Sequence, residues 1–373
     1  MMTWVESDGR AEIPVCSRLL DKVYGCLIGG AIGDAMGAPA EDWHYSDIRP
    51  KFGRITTFLP QPARSRDGAP GQITDDTTLR HYMCMAIIRK GGRISPDDYA
   101  EVWLSDLNPM RLFFTERIVV EKLKLGMSPW ETGRGQPLAD AAIMAVAPVG
   151  IINAGNPAQA YQDAFNLSSI HQDGIERDAA ATAAAGFAAA FSPDATPELV
   201  LEAMLAHSTF DTHRLITIGR ELAAETADID LFTERFYLRF LDRSFPRPAS
   251  VVWDKDRTVS PTSREVLPIV CGLFELCAGQ PQSCISAGAS FGRDADTIAT
   301  VLGGLSGALF GASAIPEEWI SASEEANRAF FEEVSPDEVV SFRSTAVDMV
   351  RALESERGRT AERLQRLDEL LAS

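Results

Sequence analysis

The sequence predicts an all-α fold in a single domain, and three observations carry that prediction. Apolar residues recur at helical spacing along most of the chain, strand-type alternation is nearly absent, and neither a fixed-period repeat nor a linker interrupts the texture. The predicted domain spans 1–373, with a multi-helix core over about 16–331 and helices over 335–373 appended. An apolar content of 45% is ample for a large core. The balance of 35 basic against 53 acidic residues, a net charge of −18, speaks against non-specific nucleic-acid binding.

The first predicted helix, 16–38, holds Gly25, Gly29, Gly30, Gly33 and Gly37. Glycine costs a helix about 1 kcal/mol relative to alanine, so five of them imply close approach of backbone to backbone or to a ligand. Pro39 ends this helix and leaves Glu41 just outside it. Residues 46–73 contain Pro50, Pro60, Pro62 and Pro70 and show no period, so they read as a long loop. That loop delivers Thr74-Asp75-Asp76-Thr77, which opens an amphipathic helix closed by Gly91-Gly92.

Helical patterns follow at 96–106, 115–126, 138–152, 157–169, 177–191 and 196–206, then at 213–227, 230–242, 263–278, 281–289, 316–331 and 335–353. DAAATAAAGFAAAF is apolar all round and is therefore interior. A second proline-bearing loop covers 244–263. The tail, 357–373, aligns Leu364, Leu367, Leu370 and Leu371 on one stripe, which fits either a packed final helix or an oligomer contact.

Ile298 to Ile315 is free of charge and as long as a minimal membrane span, but Gly303, Gly304, Gly307 and Gly311 favour a buried central helix. No membrane association is expected. The first fifteen residues include acids and no apolar run, so they do not read as a signal peptide. Cys16, Cys26, Cys84, Cys271, Cys277 and Cys284 form no C-x-x-C pair and read as reduced thiols of a cytosolic protein.

Chemistry concentrates in two clusters. Asp294-Ala295-Asp296-Thr297 precedes the charge-free run, and Thr74-Asp75-Asp76-Thr77 lies far upstream. Each offers two carboxylates and a hydroxyl at the start of a helix. Either cluster alone is explained by helix capping. Together, four carboxylates would repel one another unless cations neutralised them. Oxygen ligands without His or Cys select hard ions, Mg²⁺, Mn²⁺ or Ca²⁺, and two such clusters suit a two-metal site that activates water.

With these residues in place the chain resembles the ADP-ribosylglycohydrolases. A G-x-x-x-G-D-A-x-G helix is matched by Gly29 to Gly37 with Asp34, a following acid by Glu41, and T-D-D by Thr74-Asp75-Asp76. D-x-D-[ST] is matched by Asp294 to Thr297, and I-P-x-x-W by Ile315, Pro316 and Trp319. The resemblance implies an all-helical hydrolase that cleaves a glycosidic bond to ribose with two Mg²⁺ or Mn²⁺ ions. It assigns Thr74, Asp75, Asp76, Asp294, Asp296 and Thr297 to the metals, and gives Glu41, Asp75 and Asp296 catalytic roles, with Glu41 on the ribose side.

Four further residues are expected near substrate. Asp34 either faces the site or braces a neighbouring loop. His171 stands where family members often have a His near substrate, or is simply a helix C-terminal His favoured by the dipole. Asp140 and Ala145 occupy positions where relatives carry Gly or Asn and Arg, and the loss of an Arg removes a planar phosphate partner. Arg293 either restores phosphate affinity or pairs with a surface acid. The substrate is therefore expected to be ADP-ribosylated or ribosylated, with a small molecule favoured over a modified protein.

Overall fold

The computed structural model describes residues 17–60, 68–241, 262–336 and 339–372. In chain order the α-helices are α1 (Arg18–Gly37), α2 (Tyr45–Phe52), α3 (Asp75–Lys90), α4 (Pro96–Ser105), α5 (Phe114–Lys124) and α6 (Ala141–Ala145). Then come α7 (Ala147–Ile152), α8 (Pro157–Leu167), α9 (Ile175–Ala190), α10 (Pro197–Ala206), α11 (Phe210–Thr226) and α12 (Ile229–Phe236). The last six are α13 (Ser263–Leu276), α14 (Pro281–Ala289), α15 (Ala295–Phe310), α16 (Glu317–Ala326), α17 (Arg328–Val334) and α18 (Phe342–Ala372). No strand occurs among the described residues, as the all-α prediction requires.

Glycine spacing sets the central contact. Gly25, Gly29, Gly33 and Gly37 recur every four residues and so share one face of α1. A β-carbon on each would stand 2.0 to 2.6 Å from the carbonyl oxygens of Gly307, Gly303, Ala299 and Ala295 in turn. The descending order means α15 runs antiparallel to α1, backbone against backbone. The packing consequence is also a functional one. The C-terminal end of α1, with Asp34 and the segment leading to Glu41, lies beside the N-terminal end of α15, with Asp294 and Asp296.

Other helices enclose this pair. Gly288 brings α14 against Ala299 on another side of α15, and the alanine-rich α9 is buried nearly end to end. Gly219 of α11 meets the Pro268 carbonyl of α13. No described helix is long and apolar enough to cross a membrane, and α15 is core. Cys26, Cys84, Cys271, Cys277 and Cys284 are buried and unbridged, while Cys16 lies outside the described residues.

The structure departs from the predicted elements in four places. The stretch predicted as a loop at 46–73 includes α2, which His44 starts by accepting a hydrogen bond from Ser46 N (3.3 Å), with Ile48 buried. The pattern at 138–152 is two helices, because Val146 breaks the run and Pro148 opens the second. The pattern at 316–331 divides at Asn327, whose amide donates to Gly71 O (2.9 Å) and Ser323 O (2.8 Å) and accepts from Ile73 N (3.0 Å). Finally, 335–353 and 357–373 are not two helices: α18 is one helix from Phe342 to Ala372. Its buried residues, Phe342 to Ala352, rest on the body, and every residue from 357 to 372 is exposed. The predicted loop at 244–263 lies outside the described residues apart from its last two positions.

Candidate metal centre

Thr74 caps α3, its hydroxyl accepting from Asp76 N (3.3 Å). Asp34 fixes the angle of that start. Its carboxylate accepts from Thr74 N (3.0 and 3.1 Å), Thr77 N (3.1 Å) and Thr77 Oγ1 (2.5 Å). These bonds make Asp34 a brace for the start of α3. Held in this way, α3 presents Asp75 and Asp76 at its N-terminus, where the helix dipole favours negative charge.

The second cluster is held by a different device. Arg293 N donates to Trp43 O (2.8 Å) and Asp42 N donates to Arg293 O (2.7 Å), so the strand of chain next to Glu41 is stitched to the one before Asp294. Three residues at this junction take left-handed backbone: Asp42 (φ 66), Gly292 (φ 80) and Arg293 (φ 56). At Gly292 a β-carbon would lie 2.4 Å from Trp43 O. Asp294 then occupies the N-cap position of α15, yet its side chain makes no capping hydrogen bond. Simple helix capping therefore does not account for Asp294.

The clusters meet. Thr297 Oγ1 donates to Asp76 Oδ1 at 2.9 Å, between residues 221 positions apart. Asp76, Asp294 and Asp296 are buried, at 3%, 5% and 4% exposure, and Asp75 is half-buried. Loss of water raises the pKa of all three buried groups well above the usual carboxylate range, and mutual repulsion adds to it. For Asp296 the strongest repulsion comes from Glu41, followed by Asp76. Asp75 is pushed up to about 6 by desolvation and by the charge of Asp34.

Asp140 belongs to the same set. It is buried, and its nearby carboxyl helps to raise the pKa of Asp294. Asp140 Oδ2, Asp294 Oδ2 and Asp296 Oδ1 are buried oxygens with no hydrogen-bond partner. Such atoms cost stability unless something electropositive meets them. The donor set is oxygen only, which suits a hard divalent cation. No three acid, His or Cys groups already form a closed cation cage among the described residues.

Arg293 and His171 are not part of this gathering. The Arg293 guanidinium is buried and doubly bonded to Glu265, with Nη2 to Oε1 at 2.5 Å and Nε bonded to Oε2. The pair is interior, so Glu265 is not a surface acid. The His171 ring is 1% exposed, sits edge-on to Trp103 at 5.0 Å and near Tyr99 at 5.9 Å, and has no bond to either nitrogen. Burial lowers its pKa to about 3, so it is neutral.

Two acids escaped the sequence reading. Glu116 of α5 is buried, accepts from Thr115 Oγ1 (2.7 and 2.8 Å), and is pushed up to about 8 by desolvation, with Asp75 and Asp140 adding to it. Glu176 of α9 accepts from Ser263 N (2.8 Å) and is pushed up to about 7 by desolvation, with Asp140 contributing. A glutamate opening a helix that is apolar all round was a usable signal for Glu176. Glu116, on an ordinary amphipathic helix, offered none.

Comparisons with known proteins place the chain in a family. The sequence profile of the ADP-ribosylglycohydrolase family matches residues 16–357. An uncharacterised protein of Escherichia coli K12, YegU, is 26% identical over 309 residues, covering 79% of this chain and 89% of YegU. The human ADP-ribosylhydrolase ARH3 is 24% identical over 340 residues, covering 83% of this chain and 90% of its own. A solved structure titled ADP-ribosylglycohydrolase-related protein complex superposes with a TM-score of 0.63 at 19% identity, over 90% of this chain and 99% of the other, and supports the fold. The chain is a member of the ADP-ribosylglycohydrolase family, a family of all-helical hydrolases.

Proposed function

We propose that this protein is a divalent-cation-dependent hydrolase of a glycosidic bond to ribose, with Thr74, Asp75, Asp76, Asp294, Asp296 and Thr297 holding two Mg²⁺ or Mn²⁺ ions. The observation that carries the proposal is the Thr297–Asp76 hydrogen bond of 2.9 Å, which joins the two clusters at one place. The three partnerless buried oxygens of Asp140, Asp294 and Asp296 support it further. Bound there, the ions would orient ribose hydroxyls and acidify water.

The chain's own residues set the rest. Asp75 and Asp296 frame the reacting region from the two helix starts, and Asp34 keeps α3 in register for it. Glu41 is half-buried and its charge acts on Asp296, which supports reading it as the group that accepts from a ribose hydroxyl or moves a proton at its carboxylate. Carboxylates engaged by cations do not serve as the paired acid and nucleophile of ordinary glycosidases.

A small riboside is the favoured substrate. Asp140 adds negative charge beside Asp294, and Arg293 is engaged by Glu265, so both residues weigh against a pyrophosphate on that wall. Incubation with Mg²⁺ and a panel of NAD-derived and nucleoside substrates tests the whole proposal. Release of ribose or ADP-ribose that stops on chelation is the expected result. Turnover undiminished by chelator contradicts it.

A further inference from the structure

We propose that the cleft between α2, α12 and α14 binds a small phosphomonoester, at a site separate from the candidate metal centre. Its volume is about 310 Å³, at the small end of ligand-sized pockets. None of the residues lining it belongs to either Asp/Thr cluster, so binding here requires neither cations nor hydrolysis.

The basic side of the cleft comes from one helix and its stop. Tyr45 and Arg49, four residues apart, share a face of α2. Gly53 ends that helix with a positive φ of 66, and the turn returns Arg54 to the same opening. The next residue is held at both of its backbone polar groups. Ile55 N donates to Ser290 Oγ at 2.8 Å, and Ser286 Oγ donates to Ile55 O at 2.7 Å. Arg54 is thereby anchored beside the end of α14. Ile229 of α12 and Ala287 of α14 supply apolar wall.

Charge selects the occupant. Arg49 Nη2 and Arg54 Nη2 both reach the Asp230 carboxylate, at 2.5 and 2.9 Å. Among the described residues no other charged side chain lines the cleft, so two guanidiniums share one negative charge. A phosphomonoester carries close to two negative charges at pH 7 and several acceptor oxygens, which matches a pair of arginines where one carboxylate does not. The three side chains are 38% to 51% exposed, so the resident ion pairs are weak and Asp230 can be displaced. The Tyr45 ring, packed on Tyr237 at 4.7 Å, joins Ile229 and Ala287 as surface for the organic body that bears the phosphate.

Calorimetric titration of the chelated full chain with phenyl phosphate tests the site, with benzoate as the carboxylate counterpart. Phenyl phosphate is expected to bind with a Kd below about 1 mM, and benzoate about tenfold more weakly. Arg49→Gln combined with Arg54→Gln should weaken phenyl phosphate by about tenfold or more. Asp230→Asn removes the competing carboxylate, leaves both arginines in place, and should strengthen binding by about threefold or more. That single variant keeps the test decisive if the double one folds poorly. No binding of phenyl phosphate by the native chain overturns the proposal. So does binding that the double variant leaves unchanged, that Asp230→Asn fails to strengthen, or that benzoate equals.

Discussion

Thr297 Oγ1 lies 2.9 Å from Asp76 Oδ1, and this one hydrogen bond closes a loop of chain 221 residues long. It exists because the glycines of α1 let α15 lie against it, so that the start of α15 falls beside the start of α3. Asp296, one residue before Thr297, is consequently surrounded by Glu41, Asp76, Asp34 and Asp75.

Asp296→Asn should lower kcat/KM by about 100-fold or more, the scale of losses around metal ligands, while the metal-free protein melts at the same or a higher temperature. Removing one of several mutually repelling carboxylates relieves repulsion that the apo-protein carries. Steady-state kinetics and thermal melts with and without Mg²⁺ check both halves. A variant that melts early in both conditions would mark Asp296 as a structural residue.

The buried Arg293–Glu265 pair makes a prediction about stability. Arg293→Met alone leaves Glu265 charged and unpartnered, and should cost about 3 kcal/mol or more in chemical denaturation. Arg293→Met with Glu265→Leu should recover most of that loss, because two apolar groups replace two desolvated charges. KM in the double variant should stay near the native value. A KM rise of tenfold at unchanged stability would instead make Arg293 a substrate contact.

Most of the fold was legible in the sequence, and so was the pairing of the clusters. Gly25, Gly29, Gly33 and Gly37 at intervals of four announced a close backbone contact, and the structure supplies its partner in α15. Element breaks were less legible where tertiary bonds impose them. Asn327 interrupts a run of helical pattern because its amide serves Gly71 and Ile73, residues more than 250 positions away. In the site, local signals located the two Asp/Thr clusters, since helix starts carry them. Glu116 and Glu265, the partner of Arg293, depended on which helices meet, and nothing in the local pattern encodes that.

The same glycines can be tested by adding a methyl group. Gly33→Ala would place its β-carbon 2.0 Å from Ala299 O, so α1 and α15 must separate. Overpacking of this kind costs about 1–3 kcal/mol, more than the roughly 1 kcal/mol by which alanine favours a helix. Denaturant titration should show net destabilisation. Activity should fall further than stability alone explains, because the shift moves Asp296 relative to Asp76. Unchanged stability would mean that the contact is looser than described.

The pH dependence of the metal-free protein follows from its raised carboxyl groups. Asp75, Glu176 and Glu116 titrate near 6, 7 and 8 in the folded state, above their values in the unfolded chain. The folded state thus holds more protons, and stability falls as pH rises. The contribution is complete below about pH 4, where the unfolded chain is also protonated, and is lost as pH climbs through 6 to 8. Melts of chelated protein from pH 4 to pH 8 should show a falling midpoint, which saturating Mg²⁺ flattens. A midpoint that rises over this range contradicts the assignment.

Anomalous diffraction from crystals soaked in Mn²⁺ tests the proposed cation centre most directly. Two peaks are expected between the starts of α3 and α15, with carboxylate oxygens of Asp75, Asp76, Asp294 and Asp296 within about 2.0–2.6 Å of them. Strong peaks elsewhere and none between these helix starts, at Mn²⁺ concentrations that support turnover, would contradict it.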